Sequence, residues 1–243
     1  MTLRSLSSRV LPLLPLLALT ACPPPAGTPQ TYNFNRPADI ALVCLRVPIS
    51  TDGRIDPPNA TVTPLPLVDC STTDPAGMTR DPEVANTARR LFGLVTQNDR
   101  GELAVVNLHG SIGTGIVDNN RQIPGYTFIP VGAYPGSVVV DPRGVASYVA
   151  NNADPTVTVI DNRALLTSNG HRLARLDTQA SPYDLVTAAG AGDRVYLYVS
   201  VPDRSEVQVW DVTDPAGARR VSAVALQGSS APARGDAGVD GGG

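Results

Sequence analysis

IPVGAYPGSVVVDPRGVASYVANNADPTVTVID, residues 129–161, contains three short runs of aliphatic and β-branched residues. Clusters of Pro, Gly, Asn and Asp separate the runs. These residue types accept the backbone conformations of tight turns, so the pattern predicts antiparallel strands joined by hairpins. A further run at about residues 172–176 adds a fourth strand. The pattern therefore predicts a four-stranded antiparallel meander.

The same plan recurs on both sides of this stretch. Runs at residues 91–95 and 195–199 resemble residues 145–149 in their aliphatic and aromatic content. Each run is followed by a turn cluster and then by a third strand that ends in Asn or Asp, which are natural strand terminators. We predict three related units, at about residues 36–132, 133–180 and 181–228.

The central unit resembles the YVTN-type β-propeller repeat. The matching segments are Val131-Gly132, Pro135, Asp141-Pro142-Arg143-Gly144, Tyr148-Val149-Ala150-Asn151 and Val157-Thr158-Val159-Ile160-Asp161. The unit at residues 181–228 matches in part, and the unit at residues 36–132 matches at its strand cores. Successive units open at Pro135 and Pro182, which are 47 residues apart. Propeller blades span roughly 40 to 50 residues, so the spacing agrees with the resemblance.

The resemblance implies an all-β fold, namely a partial or open β-propeller of about three four-stranded antiparallel blades over residues 36–228. A β-sandwich with meander strands is the alternative. Closed propellers have about 4 to 8 blades, so three blades cannot close a ring. The chain is then a fragment of a longer propeller, an open array or a subunit of an oligomer, and we favour the fragment.

The N-terminus predicts export and lipid anchoring. Residues 1–21 combine the positive charges of Arg4 and Arg9 with an apolar run at residues 10–19, which is typical of a signal peptide. The run is too short for a transmembrane helix, which needs about 20 apolar residues. Leu19-Thr20-Ala21-Cys22 resembles the lipobox of bacterial lipoproteins.

The lipobox resemblance implies that Cys22 carries acyl chains such as palmitate and becomes the new N-terminus. We therefore expect the mature protein to be anchored to a membrane of the bacterial cell envelope. Pro23 after the cysteine favours the outer membrane in the lipoproteins that the motif resembles. An ordinary secretory signal that happens to contain a cysteine is the alternative.

Three segments depart from the repeat. Residues 22–35 form a proline-rich tether, and residues 229–243 form a Gly/Asp-rich tail that we expect to be disordered. An insertion at about residues 46–87 contains seven prolines, so we expect it to lie over the surface without a strand ladder. Long loops in compact domains are often functional, which makes this insertion a candidate binding surface, although an inert embellishment is equally compatible.

Cys44 and Cys70 bracket half of the insertion. In an exported protein two such cysteines predict a disulfide bond. A free, buried Cys44 is the alternative, since the run at residues 41–45 is apolar.

The composition excludes several functions. All 19 basic residues are arginine, which excludes a lysine Schiff base and a P-loop lysine, and a net charge of -3 gives no footprint for nucleic acid. His109 and His171 are the only histidines and are expected in solvated loops. We predict no catalytic residue, metal site or cofactor. The expected function is non-catalytic binding or scaffolding, with an envelope protein or a glycan as partner; the alternative is a lactonase-like or quinoprotein-like propeller enzyme.

Overall fold

The computed structural model describes residues 34, 36–56, 60–70, 84–108, 115–120 and 127–226. These residues form thirteen β-strands and a few short 3-10 turns, with no α-helix. The strands are β1 (Pro37–Pro48), β2 (Thr63–Leu65), β3 (Thr87–Gln97), β4 (Glu102–Asn107), β5 (Ile129–Pro130), β6 (Pro135–Val140), β7 (Ala146–Asn151), β8 (Thr156–Asp161), β9 (Arg172–Asp177), β10 (Leu185–Ala189), β11 (Val195–Val201), β12 (Glu206–Asp211) and β13 (Arg219–Ala225).

The strands form three antiparallel sheets. Sheet 1 has the order β2-β1-β3-β4-β5, sheet 2 has the order β6-β7-β8-β9, and sheet 3 has the order β10-β11-β12-β13. Sheets 2 and 3 are plain meanders, and sheet 1 is a meander with β2 added at its edge. The prediction of an all-β protein built from antiparallel four-stranded units is confirmed at this level.

Residue alternation explains which strand faces are covered. In β11, Val195, Leu197 and Val199 are buried while Tyr198 between them is exposed, as expected for a strand with one covered face. In β7 every residue is buried. Sheet 2 is therefore covered on both faces, and sheet 3 is covered on one.

Two hydrophobic cores account for this difference. The first core joins sheets 1 and 2 and contains Val43, Leu94 and Val149. The second core joins sheets 2 and 3 and is built around Tyr148 and Leu197, whose side chains are fully buried. Full burial of a side chain of this size stabilises a fold by roughly 1.5–3 kcal/mol. The two cores place sheet 2 between its neighbours.

The first meander strands of the sheets lie beside one another. β1 contacts β6, and β6 contacts β10. The carboxylate of Asp39 accepts a hydrogen bond from the Val138 N–H at 2.9 Å, which joins sheet 1 to sheet 2. The Thr187 hydroxyl donates to the Val140 carbonyl at 2.8 Å, which joins sheet 3 to sheet 2.

A partly buried ion pair supports the contact between sheets 2 and 3. Arg143 Nη2 lies 2.6 Å from the Asp141 carboxylate, whose side chain is fully buried. The same nitrogen donates to the Thr213 carbonyl at 3.1 Å. The hydrogen bonds to Asp141 raise the pKa of Arg143, so the guanidinium stays charged while it bridges the two sheets.

The predicted disulfide is present between Cys44 and Cys70, whose Cα atoms are 5.7 Å apart. Cys44 lies in β1, and its residue is fully buried. Cys70 ends the 3-10 turn Leu67–Cys70, so the bond fixes this turn against sheet 1.

The insertion differs from its prediction. Thr63–Leu65 pairs antiparallel with β1, in a register that places Cys44 opposite Leu65, so the expectation of no strand ladder was wrong for these residues. β2 is a three-residue edge strand, and an edge strand tolerates proline because one side of its backbone needs no partner.

Several predictions fall outside the described residues. These are the signal peptide at residues 1–21, the lipidation site Cys22, the tether at residues 22–35 apart from Phe34, the tail at residues 229–243, and part of the insertion. Within the described part of the chain, no helix has the length and apolar character needed to span a membrane.

Candidate binding surface

The hairpin tips of sheets 1 and 3 share local chemistry. The tip between β3 and β4 reads Asp-Arg-Gly-Glu at residues 99–102, and the tip between β11 and β12 reads Asp-Arg-Ser-Glu at residues 203–206. Both turns pass through a left-handed residue, Gly101 with φ 66° and Ser205 with φ 47°. In each sheet the tip joins the second and third strands of the meander, so the tips occupy the same end of each sheet.

A groove of about 450 Å³ lies between the tips of sheets 1 and 2. Its walls are the turn at residues 98–101, the connection at residues 131–134, and the side chains of Asp154 and Arg175. The connection leads from β5 into β6, so residues from both sheets line the groove.

Side-chain oxygens of Asn151 and Asp154 hold the backbone of the groove wall in place. The amide oxygen of Asn151 accepts from the Gly132 N–H at 2.9 Å, and the Asp154 carboxylate accepts from the Ala133 N–H at 2.9 Å. A Cβ atom at position 132 would overlap the Asn151 side chain, so this close approach requires glycine. The Asn151 side chain, which closes the Tyr-Val-Ala-Asn motif, is therefore a structural support of the groove.

Charged side chains of both signs surround the groove. Arg36 lies 3.5 Å from Asp99, Arg175 lies 3.5 Å from Asp154, and Arg100 lies 3.2 Å from Glu102. Exposed pairs of this kind contribute only about 0–1 kcal/mol to stability. Breaking these ion pairs therefore costs little free energy, and the groove presents both guanidinium donors and carboxylate acceptors.

A second recess, of about 680 Å³, lies at the other end of sheet 2. It is polar and includes Asp161 and Arg163, whose side chains pair at 2.9 Å. Thr61 from the insertion also lines it, and the neighbouring Val62 N–H donates to the Arg163 carbonyl at 3.1 Å. This recess is where the described part of the insertion meets sheet 2.

His171 is buried rather than solvated, so that expectation was wrong. It is 8% exposed, and its Nε2 lies 2.7 Å from the Thr167 carbonyl oxygen and 3.5 Å from Asn119 Nδ2. Burial lowers the pKa of His171, and the Thr167 carbonyl partly opposes that shift. The connection from β8 to β9 folds back over this ring, which no local sequence pattern indicates. His109 lies outside the described residues.

The described residues contain no group of three or more His, Cys, Asp or Glu side chains arranged to hold a metal ion.

The sequence predicted Cys22, Cys44 and Cys70 as sites, and the structure adds the groove, which depends on Asn151 and Asp154. The Tyr-Val-Ala-Asn motif marks Asn151 in the sequence. The hydrogen bond from the Gly132 N–H to Asn151 could not be predicted from the motif, because the two residues are 19 positions apart.

No protein-family model matches the chain, and no curated protein matches it. Among solved structures, that of apo AztD from Citrobacter koseri is similar with a TM-score of 0.38 and 18% sequence identity. The similarity covers 58% of this chain and 32% of the AztD chain, so it spans about a third of the neighbour's length. A similarity at this level carries no argument about fold or activity.

Proposed function

We propose that the protein is a lipid-anchored protein of the bacterial cell envelope, in which three sheets form an open β-propeller and the hairpin loops bind a partner without catalysis. The observation that carries the proposal is the groove between the hairpin tips of sheets 1 and 2, with its exposed charges of both signs. The partner is an envelope protein or a glycan.

The arrangement of the sheets supports a propeller over a β-sandwich. A sandwich is made of two sheets packed face to face. Here three sheets follow one another, the middle sheet is covered on both faces, and the first meander strands β1, β6 and β10 are neighbours. Blades of a propeller are arranged in this way around an axis.

The groove supports binding of a polar partner. Arg100 and Arg175 have side chains that are 41% and 42% exposed, and Tyr134 is 54% exposed beside them. Guanidinium groups donate several hydrogen bonds in a fixed geometry, and tyrosine adds a flat apolar surface with a hydroxyl. Such a combination suits hydroxyl-rich sugars and the polar surface of a protein.

A single experiment on the intact, exported chain tests the proposal. We expect Cys22→Ser to move the protein from the membrane fraction to the soluble fraction and to abolish palmitate labelling, because the acylated thiol is lost. Cys70→Ser is the matched control, which removes a cysteine and leaves the anchor in place. Unchanged membrane fractionation of Cys22→Ser contradicts the anchor.

The same anchored protein tests the groove. We expect the double variant Tyr134→Ala, Arg175→Ala to lose the envelope components that the parent protein captures after detergent extraction. Arg163→Ala removes an exposed arginine from the polar recess instead and is expected to retain them. Equal capture by both variants contradicts a binding groove, and metal-dependent lactone hydrolysis by the parent protein replaces binding with the enzyme alternative.

A further inference from the structure

A pair of side chains in sheet 1 fastens the first strand of sheet 2. Asp39 Oδ1 accepts from the Ile40 N–H at 2.8 Å, and the Asp39 N–H donates to the Thr96 hydroxyl at 3.0 Å. Asp39 Oδ2 then reaches sheet 2, where it accepts from the Val138 N–H at 2.9 Å, and the Thr96 hydroxyl donates to the Gly136 carbonyl at 2.9 Å. Asp39 therefore binds the N–H of Val138, and Thr96 binds the C=O of Gly136, two residues earlier in the same strand.

Sheet 3 contains the same pair. Asp184 Oδ1 accepts from the Leu185 N–H at 2.9 Å, and the Asp184 N–H donates to the Ser200 hydroxyl at 2.9 Å. The strand registers are equivalent, because Ile40 is opposite Val95 in sheet 1 and Leu185 is opposite Val199 in sheet 3. Among the described residues no further strand lies where the Asp184–Ser200 pair would reach.

The pair is not a general requirement for stacking these sheets. Sheet 2 has Ser137 and Ala150 at the equivalent positions, and sheet 3 packs on it nonetheless. The Oδ1 atom of Asp184 alone is sufficient to hold the Leu185 N–H. Nothing within sheet 3 therefore requires the second carboxylate oxygen.

An apolar face surrounds the pair. Val186, Tyr198 and Val224 are 58%, 37% and 55% exposed, and the strand registers place them on the same face of sheet 3. The residues equivalent to Tyr198 are Leu94 in sheet 1 and Tyr148 in sheet 2, and both are fully buried by the next sheet. The open face of sheet 3 thus continues a type of interface that the molecule already uses twice.

A second copy of the chain does not suit this face. A ring closed by two copies would place sheet 3 of one copy on the outward face of sheet 1 of the other. There the disulfide from Cys44 holds the turn Leu67–Cys70 against sheet 1, and Phe128 packs beside Val95. The Ile40 N–H of that copy is also already bonded to its own Asp39, so a second carboxylate would meet a negative charge.

We infer that the open face of sheet 3 docks a β-sheet of a partner protein, with Asp184 Oδ2 accepting from an N–H of its first strand and the Ser200 hydroxyl donating to the C=O two residues earlier. The inference rests on the proposed propeller arrangement. The partner strand has the chemistry of residues 136–138, with no carboxylate of its own beside that N–H, and its sheet covers Val186 and Tyr198 with apolar side chains.

The test supplies a sheet of known chemistry to the full chain. A second copy of residues 131–180 is appended after residue 228, which presents the strand that the Asp39–Thr96 pair already binds. Asp184→Asn keeps the Oδ1 acceptor for the Leu185 N–H but replaces Oδ2 by a donor. We expect this substitution to raise the unfolding equilibrium constant of the extended chain by about tenfold, as for loss of a charge-assisted hydrogen bond, and to change the unextended chain much less.

Hydrogen exchange identifies the bond directly. In the extended chain the amide equivalent to Val138 in the appended copy should be protected, and Asp184→Asn should remove that protection. Ser137→Asp in the appended copy is the matched control, because it gives that amide its own carboxylate and should remove the sensitivity to Asp184→Asn.

Three results overturn the inference. The first is an appended sheet whose amides exchange freely. The second is an equal effect of Asp184→Asn on the unfolding equilibrium constant with and without the extension. The third is a dimer of the unextended chain that Asp184→Asn dissociates, because the occupant would then be a second copy. The groove variants used to test the proposed function lie on other residues, so failure of one idea is distinguishable from failure of the other.

Discussion

Replacement of Tyr148 by alanine should lower the free energy of unfolding by about 4 kcal/mol, while Tyr198→Ala should lower it by less than about 1 kcal/mol. The two tyrosines occupy equivalent positions in sheets 2 and 3. Tyr148 is fully buried between the sheets, and Tyr198 is 37% exposed on the open face. Removal of a large buried side chain costs its transfer free energy and leaves a cavity. Removal of the partly exposed Tyr198 ring costs less transfer free energy and leaves no enclosed cavity.

Urea unfolding of the purified variants measures this difference. Tyr148→Phe is the control that separates packing from the hydroxyl, which is buried with no hydrogen-bond partner among the described residues. Burial also raises the pKa of Tyr148, so the phenol is uncharged. Removal of its hydroxyl by Tyr148→Phe should therefore change the free energy of unfolding little. Equal costs for Tyr148→Ala and Tyr198→Ala would show that sheet 3 does not cover sheet 2.

Removal of the disulfide should have the next largest effect. The bond closes a segment with a sequence separation of 26 residues, and the chain-entropy model assigns a loop of this length about 3 kcal/mol. We therefore expect the double variant Cys44→Ala, Cys70→Ala to unfold at a lower urea concentration. The loss arises mainly because the unfolded chain becomes less restricted.

The comparison with reduced parent protein tests this explanation. Reduction by dithiothreitol should produce nearly the same loss as the double variant, since both open the same loop. A midpoint unaffected by reduction, while the double variant is destabilised, would assign the effect to the packing of Cys44 in β1 instead.

Local residue patterns predicted most of the strands. Alternation and turn residues located β7, β8 and β11 to within a few residues, because hairpin chemistry is a short-range property. The same patterns missed β2, since its Pro64 argues against a strand and only its position at an edge makes it acceptable. Most strands are thus specified by their own residues, whereas β2 is a strand because it pairs with β1 at the edge of the sheet.

The candidate site was less predictable than the fold. Asp39 and Asp184 are visible as a repeated Pro-x-Asp sequence, but the hydrogen bond from the Val138 N–H of the next sheet to Asp39 depends on how the first strands are placed. The burial of His171 likewise depends on the fold of a connection. Both features require contacts between residues that are far apart in the chain, which spacing and composition do not specify.

Nuclear Overhauser effects between backbone and side-chain protons test whether the first strands β1, β6 and β10 lie beside one another. We expect cross-peaks between Asp39 and the Val138 amide and between Thr187 and Val140, since hydrogen bonds of 2.9 Å and 2.8 Å join these residues. Absence of both sets of cross-peaks in a folded, fully assigned protein would contradict the side-by-side placement of β1, β6 and β10. It would favour two sheets packed face to face.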